Sequence, residues 1–402
     1  MNEINPALAD VGHQLSTVVD ILQNCLKTGN IAPYYAALRA SNLLQLPLTH
    51  ANNLPLAHRL CADVLRVLGS HAVGAAYGLE NHFFVLGGVA TYQALNPTKD
   101  VQNFLAKIQE ERLLLANTQA AVHSDRAFSG GATATPEAGG YRINGAGTFV
   151  SLATHADLLW LQIDLKADPA VFVIDLRKNP SVVFGDFTLP QLMLESETHT
   201  VSFQNTRLGS EARLRIPTED LQPGGRMVSC HYIWHWSLIA AQFLGAASGA
   251  LEELRTFAKT MKGAGGRPLM TLDNVRAAVG RLGMQYAAAA ALVRRVGTLL
   301  QTTTDSAEWL TRVLYEVKAA NWFGTAAAEE IVTQCRRLIG TRIFRGGHRL
   351  ERLSLEAMVG PLVPRGHPIQ ELEYGRYMLD DQPVFDPALW ETASADLEPV
   401  GY

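Results

Sequence analysis

The stretch "GYRINGAGTFVSLATHADLLWLQ", from Gly140 to Gln162, decides how this chain is read. Asn144-Gly145 is a turn signal, and such dipeptides join neighbouring strands. An aromatic (Phe149), a small hydroxyl residue (Ser151) and a strongly apolar run (Leu158–Leu161) follow it. The simplest reading is a strand pair in a β-rich region. Phe149 and Ser151 stand at i and i+2, so a regular strand would place both side chains on one side.

Working outward, the same texture holds over residues 120–225. Short apolar runs, "LLWLQIDL", "VFVIDL", "SVVF" and "HTVSF", alternate with the Gly, Pro, Asn and Asp clusters "KADP", "RKNP" and "FGD". Short strands separated by turn signals predict an antiparallel sheet or barrel.

The period changes on both sides. Toward the N-terminus, "LAHRLCADVLRVLGSHAVGAAYGL" places Leu60, Val64, Val67 and Leu68 at helical spacing, and Pro33, Pro47 and Pro55 punctuate helix boundaries. Toward the C-terminus, Val275, Val279, Leu282, Tyr286, Ala289, Val293, Val296 and Leu300 alternate steps of four and three. Such a continuous apolar seam belongs to a helical bundle. A second seam runs through Leu310, Val313, Val317, Ala320, Ala327, Ile331 and Leu338, and Gly245 and Gly249 would let helices approach closely. The fold class is therefore α+β. An N-terminal helical domain (1–115) is followed by a central antiparallel β domain (116–225), a C-terminal four-helix bundle (226–385) and a loose tail (386–402).

Composition narrows the function. The chain has 402 residues, a hydrophobic share of 48% and a net charge of −4, which gives no footprint for nucleic acid or an anionic membrane. The N-terminus lacks the basic flank and apolar core of a signal peptide. Polar residues interrupt the apolar stretch Ile233–Leu251, which reads as a buried helix and not a membrane span. Cys25, Cys61, Cys230 and Cys335 form no C-x-x-C pair, and the expected setting is a reducing cytoplasm. No G-x-G-x-x-G, P-loop or G-x-S-x-G motif is present, and "KGAGGRP" (Lys262–Pro268) reads as a loop between helices. His231 and His235 have the i, i+4 spacing of zinc ligands, but no third ligand or H-E-x-x-H accompanies them, so no metal is expected.

Several separated stretches resemble the acyl-CoA dehydrogenase family. "GYRINGAGTFVSLATHADLLWL" is similar to the family's central-sheet signature, in which Asn-Gly leads to aromatic-x-[Ser/Thr]. "ANTQAAVHSD" ends like its Thr-Glu-Pro…Gly-Ser-Asp segment, with Thr118 and Asp125 eight residues apart inclusively. "ESETHTVSFQNTRLGSEARL" resembles the segment that closes the β domain. "FLGAASGALEELRTFAKTM" and "RPLMTLDNVRAAVGRL" resemble the first two bundle helices and their linker, and "LIGTRIFRGGHRLERL" the Gly-Gly turn after the last long helix. The resemblance covers residues 30–380 and implies a flavoprotein oxidoreductase that binds FAD, or FMN if it is a monooxygenase. It implies Phe149 near the reactive ring, Ser151 at its N5 edge, Thr118 at the pyrimidine end and Ser124 at the pyrophosphate. The family's linker arginine, which reaches a neighbouring subunit's flavin pyrophosphate, falls near Met261, and Arg267, six residues on, is the candidate to replace it. Gly346 and Gly347 would let backbone N–H groups approach the pyrophosphate or adenosine. A homodimer or homotetramer follows, with an electron-transfer flavoprotein or a flavin reductase as a redox partner.

The sequence departs from the family at the base. The glutamate that takes the α-proton of an acyl thioester falls on Pro364, which cannot accept one. Losing a general base costs ~10²–10⁴ in rate, or roughly 3–5 kcal/mol of barrier. Acyl-CoA contacts change as well, an expected Asp and Arg becoming Ile233 and Trp236. The primary expectation is an FAD-dependent oxidoreductase acting on the CH–CH group of a thioester, with His367 or Glu356 as substitute base. His82 would sit near the pocket mouth and Trp236 in the substrate region. The alternatives are a flavin-dependent monooxygenase acting on a small molecule and a flavin-binding member without catalysis. A monooxygenase-type histidine pair would fall on Pro361 and Pro364.

Overall fold

The computed structural model describes residues 6–118, 131–165, 168–189, 191–222, 224–300 and 307–379. The chain divides into two units, Met1–Pro364 and Arg365–Tyr402. In the first, helices α1 (Pro6–Thr28), α2 (Ala32–Ala40), α3 (Leu46–Thr49), α4 (Leu54–Gly69), α5 (Val73–Leu95) and α6 (Lys99–Glu111) precede the sheet. Local chemistry sets these boundaries. The Asn53 side chain caps α4 by accepting the Leu56 N–H at 3.2 Å, with Pro55 in the first turn. Thr98 caps α6 in the same way, through the Val101 N–H.

The sheet comprises β1 (Leu115–Thr118), β2 (Thr133–Glu137), β3 (Gly140–Val150), β4 (Leu158–Leu165), β5 (Asp168–Asp175), β6 (Val182–Phe187), β7 (His199–Gly209) and β8 (Arg213–Leu214). Their order is β6-β7-β3-β2-β4-β5-β8, with β1 beside β4. Most pairings are antiparallel, as expected. However, β1 and β2 both run parallel to β4, and β1 enters the sheet from α6 and not through a hairpin. The "LLWLQIDL" run is β4, residue for residue.

After the short α7 (Thr218–Leu221) come α8 (Arg226–Thr260), α9 (Asp273–Leu299), α10 (Ala307–Ile339) and α11 (Arg349–Ala357). Helix α8 is the central element, packing against α4, α5, α9, α10 and α11. In the α9 seam Leu282, Ala289, Val293, Val296 and Leu300 are buried, while Val275, Val279 and Tyr286 are half-buried. The α10 seam holds to Ile331 and then drifts, so that Cys335 and Ile339 are buried and Leu338 is exposed. An ideal helix falls steadily out of step with a seven-residue repeat. Gly245 allows the close crossing expected of it, since a Cβ there would stand 2.4 Å from Arg66 O and 2.9 Å from Gly69 Cα. Gly249 does the same against Ser70 O. The four cysteines are free and buried. Among the described residues, no helix is long and apolar enough to cross a membrane.

The second unit contributes α12 (His367–Leu379). The expected tail, 386–402, lies outside the described residues.

Candidate functional site

The strand carrying Phe149 does not end as a regular strand. Pairing of β3 with β7 shifts register between Gly147 and Val150, and the strand stops at Val150. Phe149 sits at φ 57° and Leu152 at φ 63°, a left-handed region that costs a non-glycine residue roughly 1–2 kcal/mol. The bulge turns Phe149 outward, leaving it 50% exposed, whereas Ser151 is 1% exposed. This corrects the i, i+2 argument, because Ser151 lies in a turn beyond the strand and the alternation has already been broken at Phe149.

The turn is locked from behind. The N–H groups of Leu152 and Ala153 donate to the carbonyls of Ser196 and Glu197. Ser196 Oγ donates to Met193 O at 2.7 Å, Thr198 Oγ1 lies 2.6 Å from Ser196 Oγ, and Ser151 Oγ lies 2.9 Å from Thr198 Oγ1. The Tyr35 hydroxyl donates to Glu195 O at 2.6 Å. Thr118, at the end of β1, is buried beside β3; its Oγ1 would be 3.3 Å from a Cβ on Gly147 and lies 3.4 Å from Thr148 O. Thr118, Phe149 and Ser151 are thus brought to one corner. Ser124 lies outside the described residues.

The residues present fit a flat, largely apolar group at this corner. A large aromatic is held half-exposed in a costly backbone conformation, with hydroxyl residues next to it. Strain of this kind collects at ligand clamps, and an aromatic face is the surface a planar ring system stacks on.

The remaining expected site residues lie elsewhere in the fold. His82 is fully buried on α5; its Nε2 is 3.0 Å from Leu44 O, and its Nδ1 accepts the Leu115 N–H at 3.1 Å. Both ring nitrogens are taken by backbone, so His82 stands in the core and not at a pocket mouth. Trp236 is 3% exposed, its carbonyl accepting from Asn321 Nδ2 at 2.9 Å and its ring 5.6 Å from Lys318 Nζ. Arg267 is exposed in the linker, where Gly263 N–H donates to its carbonyl. Gly346 and Gly347 form an exposed turn at φ 23° and 78°. His367 opens α12 in the second unit.

Glu356 is committed elsewhere. Its carboxylate is 2% exposed, and Oε2 accepts the Val73 N–H at 2.8 Å at the start of α5, where Ala72 offers no cap. Burial, reinforced by the nearby Glu195 carboxylate, pushes Glu356 up to about 8. Glu195 in turn pairs with Arg352. These groups line a cavity of about 1250 Å³ bounded by the end of α1, the 191–197 segment, α8 and α11. Of the expected site residues, the cavity includes Glu356 and Gly347 but neither Phe149 nor Ser151. Size alone therefore does not identify the chemistry, and the β3 corner is the better candidate.

The sequence reading missed Glu80. This residue is fully buried on α5, and its Oε1 lies 2.8 Å from Nδ1 of His235 on α8. Burial pushes the Glu80 carboxyl above the usual carboxylate range, and the imidazole opposes the shift. A signal was available: Glu80 is the lone acid in the otherwise uncharged run "VGAAYGLENHFFVLGGVATY", and a buried charge requires a partner. Among the described residues, no cluster of three or more His, Cys, Asp or Glu could hold a metal ion.

Residues 237–363 match the family model described as "Acyl-CoA dehydrogenase, C-terminal domain". No curated protein sequence matches the chain. Among solved structures, TdsC from Paenibacillus sp. A11-2 with FMN and indole superposes with a TM-score of 0.79 at 19% identity, covering 94% of this chain and 98% of that one. The same protein is described as a dibenzothiophene monooxygenase. Methanesulfinate monooxygenase MsuC from Pseudomonas fluorescens gives 0.76 at 15% identity, covering 93% of this chain and 98% of that one. A glutaryl-coenzyme A dehydrogenase in complex with glutaryl-CoA gives 0.75 at 16%, covering 95% and 97%. The chain has the acyl-CoA dehydrogenase-like fold, and its structural neighbours include both dehydrogenases and monooxygenases.

Proposed function

We propose that this acyl-CoA dehydrogenase-like chain is a flavin-dependent oxidoreductase, and that it oxygenates a small molecule in preference to dehydrogenating an acyl thioester. The observation that carries the flavin is Phe149, half-exposed at a positive φ beside Thr118 and Ser151. Phe149 would stack on the ring and Thr118 would meet its pyrimidine end. Ser151 would serve the N5 edge, its hydroxyl oriented by Thr198. FAD is the primary assignment and FMN the alternative, the latter being what TdsC holds. When bound, the flavin supplies two-electron redox chemistry and, once reduced, reactivity toward O₂.

The choice between the two chemistries follows from the proton. Thioester dehydrogenation needs a carboxylate base, but the family position is Pro364, and Glu356 is buried against the backbone of Val73. Oxygenation does not require that glutamate. A flavin reductase or an electron-transfer flavoprotein would then deliver electrons, and exposed Arg267 would reach the cofactor of a second subunit in a homodimer or homotetramer.

The test is a visible absorption spectrum of the purified protein, repeated anaerobically with an acyl-CoA panel and then after chemical reduction with ¹⁸O₂ and indole as probe. A flavin spectrum unmoved by thioesters, with label entering the probe, is the expected result. Bleaching by one acyl-CoA would instead establish dehydrogenation, and absence of flavin after adding FAD or FMN would overturn the assignments of Phe149 and Ser151.

A further inference from the structure

The cavity of about 1250 Å³ between the end of α1, the 191–197 segment, α8 and α11 has no part in the flavin reading. Small-molecule sites occupy roughly 300–1,000 Å³, so there is room here for an organic ligand. The lining says which kind.

The charges of the wall do not balance. Arg349 is held by Glu252 at 2.7 Å and by Glu253 at 3.0 Å, and Arg352 pairs with Glu195. His71 is lowered by burial and by Arg349, and adds no positive charge at neutral pH. Glu356 is raised by burial and by Glu195, and counts little toward the negative charge. Glu351, which also lines the cavity, has no ion-pair partner among the described residues. The Glu195 side chain is 13% exposed, and its Oε2 accepts no hydrogen bond. A concave site lined by one sign of charge concentrates ligands of the other, and an ammonium group brings the donors that these oxygens lack.

The same wall is partly apolar. Phe187, Leu194 and Leu355 line the cavity and are exposed large hydrophobics. Uncovered apolar faces beside unpaired carboxylate oxygens match a molecule with an apolar body and a cationic end.

One wall is shared with the β3 turn. Met193, Leu194, Glu195 and Glu197 line the cavity, while the carbonyls of Ser196 and Glu197 accept the N–H groups of Leu152 and Ala153 at 3.0 and 3.1 Å. Ser196 also begins the hydroxyl chain that runs through Thr198 to Ser151. Ordering of this segment by a ligand on one side is therefore felt at the turn on the other.

We propose that this cavity binds an organic cation, an ammonium group carried on an apolar body, with Glu195 and Glu351 taking the charge and Phe187, Leu194 and Leu355 the body, and that its occupancy is transmitted to the β3 turn through residues 193–197. The inference goes beyond the flavin reading and does not depend on it.

The test is calorimetric titration of the full chain with phenethylamine, using phenethyl alcohol and phenylacetate as neutral and anionic probes of similar shape. Saturable binding of the amine is expected, roughly tenfold tighter than that of either comparator. Glu195→Gln leaves Arg352 uncompensated and should weaken the amine roughly tenfold, with circular dichroism unchanged. Leu355→Trp alters the apolar wall at an exposed position without removing charge, and should also weaken binding if the first variant fails to fold. Hydrogen–deuterium exchange across residues 149–156 should slow when the amine is bound. No saturable binding, equal binding of phenylacetate, or an affinity unmoved by the variants overturns the site, and unchanged exchange at saturation overturns the link to the turn. The visible spectrum of the same preparation reports on flavin separately. Bound flavin without amine binding removes the cation site alone; amine binding without flavin removes the cofactor assignment alone.

Discussion

The Glu356 carboxylate accepts the backbone N–H of Val73 at 2.8 Å, so a side chain from α11 caps a helix that begins 283 residues earlier. The Gly74 N–H points at its other oxygen from 3.4 Å. Truncation in Glu356→Ala would leave these N–H groups unpaired in a buried place and should cost ~2–4 kcal/mol. Glu356→Gln keeps an acceptor and should cost little. Urea unfolding checks both, and unchanged turnover in Glu356→Gln would confirm that this residue is a cap and not a base.

The same residue predicts a pH dependence. Burial and the Glu195 carboxylate raise Glu356 to about 8 from an ordinary value of 4.5. A group raised on folding contributes stability that is fully present below its unfolded value and is lost as pH rises through the folded one. Stability should therefore decline between about pH 4.5 and 8 through this group, by up to ~1.4 kcal/mol per pH unit. Glu356→Gln should flatten that slope. An equally steep decline in the variant would assign it to other groups.

On the acid side the sign reverses. Burial lowers His58 and His82 to about 4 and His231 to about 3, from 6.5. Groups depressed on folding contribute stability above their unfolded value and lose it as pH falls toward the folded one, because the unfolded chain binds the protons first. Between pH 6.5 and 4 each histidine should subtract ~1.4 kcal/mol per pH unit. Replacing His231 by Leu should make acid denaturation shallower, as read by circular dichroism across a pH series.

Much of this architecture was legible in the sequence because its signals are local. The β4 run, the α9 seam and the helix boundary at Pro55 are each set by signals within a few residues. Gly245 was legible too, since two glycines four apart on an apolar helix call for close contact. What escaped depends on distant partners. Glu80 and His235 are 155 residues apart, and β1, entering from α6, pairs in parallel with β4. Thr118, Phe149 and Ser151, which the resemblance groups, lie at the ends of β1 and β3, with Thr118 Oγ1 3.4 Å from Thr148 O. Their geometry was not readable, because a bulge at Gly147–Val150 reverses the direction that period-two spacing would give Phe149.

Two glycines in long helices should respond to alanine with opposite signs. At Gly245 a Cβ would meet the Arg66 carbonyl at 2.4 Å and Gly69 Cα at 2.9 Å, all backbone that cannot move aside. Gly245→Ala should cost roughly 3 kcal/mol or more. Gly280, on α9, has nothing within 4 Å of a Cβ, so Gly280→Ala should stabilise by about 0.4–1 kcal/mol through the unfolded state. Paired denaturation curves test the contrast, and equal shifts would mean that the α4–α8 crossing is looser than drawn.

Phe149 should show stability and ligand binding pulling in opposite directions. Its φ of 57° suits glycine, and its ring is half-exposed, so little packing is lost on removal. Phe149→Gly should relieve roughly 1 kcal/mol of backbone strain, offset in part by the entropy glycine brings to the unfolded chain. If the ring is the flavin's stacking surface, the same variant should bind flavin at least tenfold more weakly, and Phe149→Tyr should restore binding because it keeps the aromatic face. Fluorescence titration with FAD and FMN, beside thermal unfolding of the flavin-free protein, measures both effects on the same samples. A glycine variant that is no less stable and binds flavin poorly fits a residue kept strained for its ligand. If it loses stability and keeps full affinity, Phe149 is a packing residue, and the cofactor surface must lie elsewhere in the fold.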